Sequence, residues 1–319
     1  MNINLGYVAI SLNLENSSPN KTVTLKNLEK IDENLWISKI EGLSKKNIES
    51  TIRILRYNKG YGIKLYRFTS KLVPFATHMR FENWDWRSEL GEEFKKLGKV
   101  VKETEIRVST HPDHFTLLNS PKEEVLKASL KELEYHNSMF ELMGLGQEYK
   151  IVLHVGGMYN DKRDSIKRFY EGFSMLDESI KKRIILENDD KLYNALDVLE
   201  ICKKANIPMV LDIHHDICNP SQYKIGELVG DIFKTWENEK FPPKIHISSP
   251  KSEKEIRSHH DYINPDNFIS FIKESKVLNL DFDAMIEAKM KDKALFKLME
   301  DLKSYDFIKA SGAASLKIL

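Results

Sequence analysis

Eight short apolar or β-branched runs, each followed by a longer stretch of helical period, constrain this 319-residue chain more than any other feature. Parallel strands need long crossovers, and strands alternating with helices read as a parallel sheet covered by helices. The expected strands are 4–10, 62–68, 105–110, 150–155, 183–187, 208–212, 244–247 and 282–287. Helical period runs over 46–58, 89–101, 123–142, 165–179, 194–203, 267–274 and 293–302. Ser120 before Pro121 and Glu123 reads as a serine cap with proline at the first helical position. No long polar linker interrupts the alternation, so the expected fold is α/β, a single (β/α)8 TIM barrel over 1–304. The tail, 305–319, is left unassigned, as a final helix or a loose end. An open doubly wound sheet is the other architecture the alternation permits. No glycine-rich phosphate loop follows the first strand, and Gly156-Gly157 reads as a tight turn.

Composition narrows the class. With 41% hydrophobic and 30% charged residues and a mean hydropathy of -0.44, the chain can fill a core but is too charged for a membrane protein. No window approaches 18 consecutive apolar residues, and no positive charge precedes the first apolar run, so the expected address is cytoplasmic. Cys202 and Cys218 make neither a disulfide framework nor a paired zinc motif. Net charge is +1, yet residues 1–80 hold 13 basic against 6 acidic residues. That excess reads either as a solvated lysine-rich surface or as a patch for a polyanion such as nucleic acid.

Of the ten histidines, His111, His114, His154, His214, His215, His246, His259 and His260 fall at or just beyond the carboxyl ends of expected strands. In a barrel those ends converge on one face, so residues far apart in sequence share a pocket. Glu187, Asp212 and Glu287 each close an apolar strand on that face. Carboxylates crowded in a partly dry pocket repel unless cations neutralise them. Imidazole and carboxylate without thiolate suit manganese, zinc or iron, and so many ligands exceed the needs of one ion, which implies two or three. Lys244 stands two residues before His246 and so faces the same side of its strand. Its amine either reaches solvent at a twisted strand end, or is neutral, or has reacted with carbon dioxide to become a bridging carbamate. Lys289, two beyond Glu287, is placed to reach outward to a phosphate.

An ordered set of strings running from about residue 3 to residue 290 resembles the ultraviolet-damage endonuclease family. It comprises Leu5-Gly6-Tyr7, Ser109-Thr110-His111-Pro112-Asp113, Leu153-His154-Val155-Gly156-Gly157 and Leu186-Glu187-Asn188-Asp189. It continues through Leu211-Asp212 with His214-His215 and Asn219-Pro220, then Pro243-Lys244-Ile245-His246, His259-His260-Asp261-Tyr262-Ile263 and Ile286-Glu287-Ala288-Lys289. The resemblance implies a TIM barrel related to endonuclease IV and to xylose isomerase-like barrels. It implies an enzyme that nicks damaged duplex DNA immediately 5′ of pyrimidine dimers and 6-4 photoproducts, leaving a 3′-hydroxyl and a 5′-phosphate.

Carried over by position, the resemblance implies a manganese cluster held by His111, His154, Glu187, Asp212, His215, His246, His259 and Glu287. Lys244 matches the lysine that the family converts to N6-carboxylysine, and Lys244, Glu187 and His111 are the expected catalytic residues. His259 is preferred to His260 because Asp-Tyr-Ile follows in the matching spacing. His214 faces the other way if the segment is extended, which makes it packing or support. For damage recognition, some relatives carry glutamine then tyrosine where this chain has His114-Phe115, and an aromatic still allows a wedge into the duplex. Tyr7, Arg67, Lys289 and either Ser11 or Asn13, of which Asn13 is preferred, complete the expected DNA contacts. The expected partner is damaged double-stranded DNA, with no membrane and no obligate protein partner. Three other readings stay open: a metal-dependent sugar isomerase or epimerase, a DNA-binding barrel without catalysis, and an endonuclease IV-like enzyme acting on abasic sites.

Overall fold

A computed structural model describes all residues, 1–319. Its eight parallel strands are β1 Asn2–Val8, β2 Leu65–Arg67, β3 Arg107–Ser109, β4 Ile151–His154, β5 Ile184–Glu187, β6 Met209–Asp212, β7 Lys244–Ile247 and β8 Phe282–Ile286. Their order is β3-β2-β1-β8-β7-β6-β5-β4. A single bridge between Thr110 and Ile151 brings the two ends together, with the Thr110 amide donating to the Lys150 carbonyl at 3.1 Å. The barrel is therefore nearly closed, with helices outside. Strand interiors such as Ile184-Ile185-Leu186 are fully buried on both faces, as parallel strands beneath helices require. Gly6 has its place because a Cβ there would come within 2.2 Å of the Leu65 carbonyl oxygen on β2.

Expected elements shift where single residues override the period. Ala9 takes φ 60° and ends β1 before Ile10, while Glu105, at φ 56°, caps the preceding helix and delays β3. The Ser120 cap is corrected: the helix Glu123–Leu142 starts after Lys122, with no side-chain cap, and Ser120 Oγ accepts from the Lys122 amide instead. The long helix Trp36–Gly60 starts ten residues before the expected stretch. Between β6 and β7 lie two helices that the period reading did not single out, Ile213–Cys218 and Ile225–Lys234. The tail is neither helix nor loose end. β9 Ile308–Ala310 and β10 Ser315–Ile318 form a hairpin, and β10 pairs antiparallel with the first residues of β1. That is the stretch of β1 that β2, which starts opposite Gly6, leaves free on that edge. No helix is long and apolar enough to cross a membrane.

Candidate metal centre

Strand register sets the polar residues at one height. His154, the last residue of β4, lies opposite Glu187, the last of β5, and Asp212, the last of β6, lies opposite His246 on β7. Glu287 follows β8 directly and His111 follows β3 by two residues. His215 arrives differently. The helix Ile213–Cys218 starts on Asp212, whose Oδ1 accepts from the His215 amide at 2.7 Å, an N-cap that turns the imidazole back over the strand ends.

Glu187, only 1% exposed, sits at the centre of what results. Its Oε2 lies 3.1 Å from His111 Nε2 and 3.8 Å from His154 Nε2; its Oε1 lies 2.9 Å from His246 Nδ1 and 3.5 Å from His215 Nδ1. Glu287 approaches His246 Nδ1 at 3.1 Å and His259 Nδ1 at 4.0 Å. Three groups have donor atoms within 4.8 Å of one another: His111, His154 and Glu187; Glu187, Asp212 and His215; Glu187, His246 and Glu287. Glu187 belongs to all three. Asp212 Oδ2, His246 Nε2 and His154 Nδ1 are buried with no hydrogen-bond partner. Buried polar atoms are rarely left so; the two nitrogens are those turned away from Glu187, whereas a divalent cation held by Glu187, Asp212 and His215 would satisfy Asp212 Oδ2. The donor set therefore fits a cluster of hard-to-borderline divalent ions. His259 rather than His260 faces the group, since His260 is exposed and its Nδ1 accepts from the Tyr262 amide at 3.0 Å.

Burial and charge set the protonation of these side chains. Burial lowers His246 to about 4 and also lowers His154 and His259, against the pull of the neighbouring carboxylates. Burial opposes ionisation of Glu187, but His246, His154 and His111 hold it well below the usual carboxylate range. For His215 burial works downward and is outweighed by Asp212, Glu187 and Glu287, which raise it to about 9. Burial also raises Asp212, so this pair keeps at least one proton at neutral pH. An incoming cation must displace that proton. Affinity for Mn2+ should thus rise with pH up to about pH 9, by up to roughly tenfold per unit for each proton displaced. Calorimetric titration in buffers of different ionisation enthalpy checks this, and an affinity flat with pH without proton release would contradict it.

Lys244 is 1% exposed and does not reach solvent; its Nζ donates to Ser109 Oγ at 3.2 Å. Burial, then Arg107 and Arg67, hold the amine well below its ordinary value. Arg67 pairs with Glu287 and is the one cation of residues 1–80 in ion-pair contact with the centre. Arg80 is paired with Glu29, and Arg53 donates to the carbonyls of Glu15 and Asn16. Phe115 is 71% exposed on the rim, its ring 3.9 Å from that of His114. Asn13 and Lys289 are exposed.

Two expectations are corrected. Tyr7 is fully buried, its hydroxyl donates to Asn58 Oδ1 at 2.7 Å, and it has no surface to offer DNA. His214 is on a helix, not an extended segment, so it is rotated about 100° from His215 rather than opposed to it. It is buried, 3.7 Å from Cys218 Sγ through Nε2.

Supporting residues escaped the sequence reading. Asn188 donates to the Asp212 carbonyl at 3.0 Å and accepts from its amide at 2.8 Å, while its own carbonyl accepts from His215 Nδ1 at 2.9 Å. Its position directly after Glu187 was the available signal. Asp292 fixes the loop after β1, accepting from Ser11 Oγ at 2.6 Å and the Leu12 amide at 2.8 Å. Gly156, at φ 117°, makes the turn after His154, and Asn119 holds it by accepting from the Gly157 amide at 3.2 Å.

A cleft of about 260 Å³ opens beside His111, between Ala9, Arg67, Thr69 and His114. A larger cavity of about 570 Å³ has a different setting, where Lys150, Lys181 and Lys240 are already paired with Glu239, Glu178 and Glu148. None of the metal-centre side chains lines it.

Known proteins match this chain along nearly its whole length. The family profile described as UV-endonuclease UvdE matches residues 3–318. A UV DNA damage endonuclease of Halalkalibacterium halodurans is 42% identical over 97% of this chain and 96% of its own length. One from Bacillus cereus is 39% identical over 99% of this chain and 100% of its own. The crystal structure of SacUVDE superimposes with a TM-score of 0.83 at 31% identity, covering 95% of this chain and 98% of that one. Endonuclease IV from Thermus thermophilus, with a TM-score of 0.54 at 12% identity over 80% of this chain and 95% of its own, shares the fold. So does a D-tagatose 3-epimerase-like protein, with a TM-score of 0.55 at 16% identity over 95% of this chain and 96% of its own.

Proposed function

The chain belongs to the UV-endonuclease UvdE family, and from that premise we propose that it cuts damaged duplex DNA immediately 5′ of cyclobutane dimers and 6-4 photoproducts by metal-assisted phosphodiester hydrolysis. The products are a 3′-hydroxyl and a 5′-phosphate. The observation that carries the reading is one buried carboxylate, Glu187, common to three ligand groups at the open end of the barrel.

Two or three divalent ions, manganese first among them, are proposed here, with His111, His154, Glu187, Asp212, His215, His246, His259 and Glu287 as their holders. When bound, such ions supply positive charge to the phosphoryl group and make a water more acidic. The chain's own work is placement. Glu187 fixes the spacing between the groups, and Asn188 locks Asp212 and His215 in orientation. Lys244 is proposed to carry a carbamate: its neutral amine adds to carbon dioxide, forming an N–C bond and releasing a proton. The resulting anion would face Arg67 and Arg107, the two cations that repel the ammonium form. The His114-Phe115 pair is proposed to enter the duplex at the lesion, with Arg67, Asn13 and Lys289 on the backbone.

A nicking assay on labelled duplexes tests this. One carries a defined cyclobutane dimer, one an abasic site, and one no damage. A Mn2+-dependent cut directly 5′ of the dimer is expected. Phe115→Ala should lower the preference for the dimer duplex by about tenfold or more at unchanged metal content. Cutting of the abasic duplex alone would favour an endonuclease IV-like activity, and equal loss of metal and preference would make Phe115 structural.

A further inference from the structure

Beyond β8 the chain turns from Glu287 into the helix Lys291–Asp301, and Lys291, its first residue, has φ 49°. A left-handed backbone is costly for any residue with a Cβ, and lysine has none of the local hydrogen bonding that lets asparagine tolerate it. Strain of this kind persists where the surroundings hold it, and it gathers at functional sites. Lys291 carries a second oddity. It is half-buried, and its ammonium makes no ion pair and no side-chain hydrogen bond, whereas its neighbours Lys289 and Lys293 are exposed.

The charges it feels are Arg67, which repels it, and Glu287, which attracts it. Glu287 is already engaged by the Arg67 guanidinium and lies 3.1 Å from His246 Nδ1. The Lys291 amide donates to the Ala288 carbonyl at 3.2 Å, which keeps the turn carrying Lys291 next to Glu287, the acid already bound to Arg67. Burial, then Arg67, hold Lys291 below its ordinary value, with Glu287 offsetting part of this. A half-buried cation without a partner is unfavourable unless an anion arrives to share it. Arg67 also lines the cleft of about 260 Å³ beside His111, so an anion held there by Arg67 would sit at the edge of the metal centre.

We propose that Lys291 and Arg67 clamp one backbone phosphodiester of the DNA next to Glu287, with Lys291 holding a non-bridging oxygen. The proposal rests on the nuclease reading and adds a substrate contact to it. Charge, not strain, is then what position 291 contributes, and the strained backbone is what aims the amine.

Wild type, Lys291→Gln, Lys291→Gly and Lys291→Arg are compared in single-turnover cleavage of the dimer duplex across a series of KCl concentrations. The glutamine and glycine variants should lose on the order of tenfold or more in kcat/KM. Their half-saturating concentration should depend less steeply on salt, the log–log slope falling by about 0.9 for one lost phosphate contact. Arginine should restore most of both. Glycine accepts φ 49°, so that variant should melt no lower than wild type, separating charge from folding. An unchanged salt slope in Lys291→Gln, or arginine performing no better than glutamine, would overturn the clamp. A wild type that cuts no dimer duplex would overturn the nuclease reading and the clamp with it, whereas a cutting wild type beside an indifferent Lys291→Gln removes the clamp alone.

Discussion

Glu187→Gln should abolish cleavage of the dimer duplex, slowing it by at least about 10³-fold, while the chain stays folded. Glutamine keeps the volume of a side chain that is 1% exposed, so the loss would not arise from a cavity. What disappears is negative charge shared by three ligand groups. Removing a hydrogen-bond partner behind a single metal ligand typically costs about 10–100-fold, and a ligand common to three groups must exceed that. The new amide would also present an N–H to His111 Nε2 or His246 Nδ1, at 3.1 and 2.9 Å, tying up imidazole lone pairs that the proposed ions would need. Cleavage rate, bound metal by elemental analysis and melting temperature together decide the matter. A variant that cuts at a comparable rate with full metal content would remove Glu187 from the centre.

Strand ends were the readable part of this chain because they obey two local rules at once. A run such as Ile-Ile-Leu-Glu states both a strand buried on two faces and the residue that leaves it at the catalytic end, so β5 and Glu187 are found together. β7 and the Glu123–Leu142 helix coincide with the stretches read from period alone. The misses share another cause. Ala9 and Glu105 end or delay strands through left-handed backbone that nothing in their side chains announces. Tyr7 sits in a family-like string, but whether a strand-end tyrosine faces the solvent or the core depends on Asn58, 51 residues away, which takes its hydroxyl. The tail hairpin depends on an unpaired stretch of β1 edge, a vacancy that exists only once the barrel has formed. His215 is intermediate: its type and position point to the site, but its orientation comes from a short helix capped by Asp212.

Asp283→Ala should destabilise the fold by about 3–5 kcal/mol, because it strands a buried cation deeper in the barrel. Asp283 Oδ2 accepts from Arg107 at 2.7 Å and its Oδ1 accepts from Asn4 Nδ2 at 2.9 Å, with Arg107 and Asp283 both nearly inaccessible. Arg107 also donates to the Pro242 carbonyl at 2.8 Å and lies about 5.1 Å over the rings of Trp236 and Phe241, contacts that hold it in place but do not neutralise it. Replacing both partners, Arg107→Met with Asp283→Leu, should recover most of that stability, since the double change leaves no unpaired charge. Urea unfolding of the two variants checks the difference, and equal destabilisation would show that packing rather than charge is what matters there. Activity should not recover with stability. After burial, Arg107 is the largest influence disfavouring the Lys244 ammonium, and it is one of the two cations available to a carbamate at that position. The stable double variant should therefore still cut slowly, linking an ion pair beneath the metal centre to the state of the lysine it surrounds.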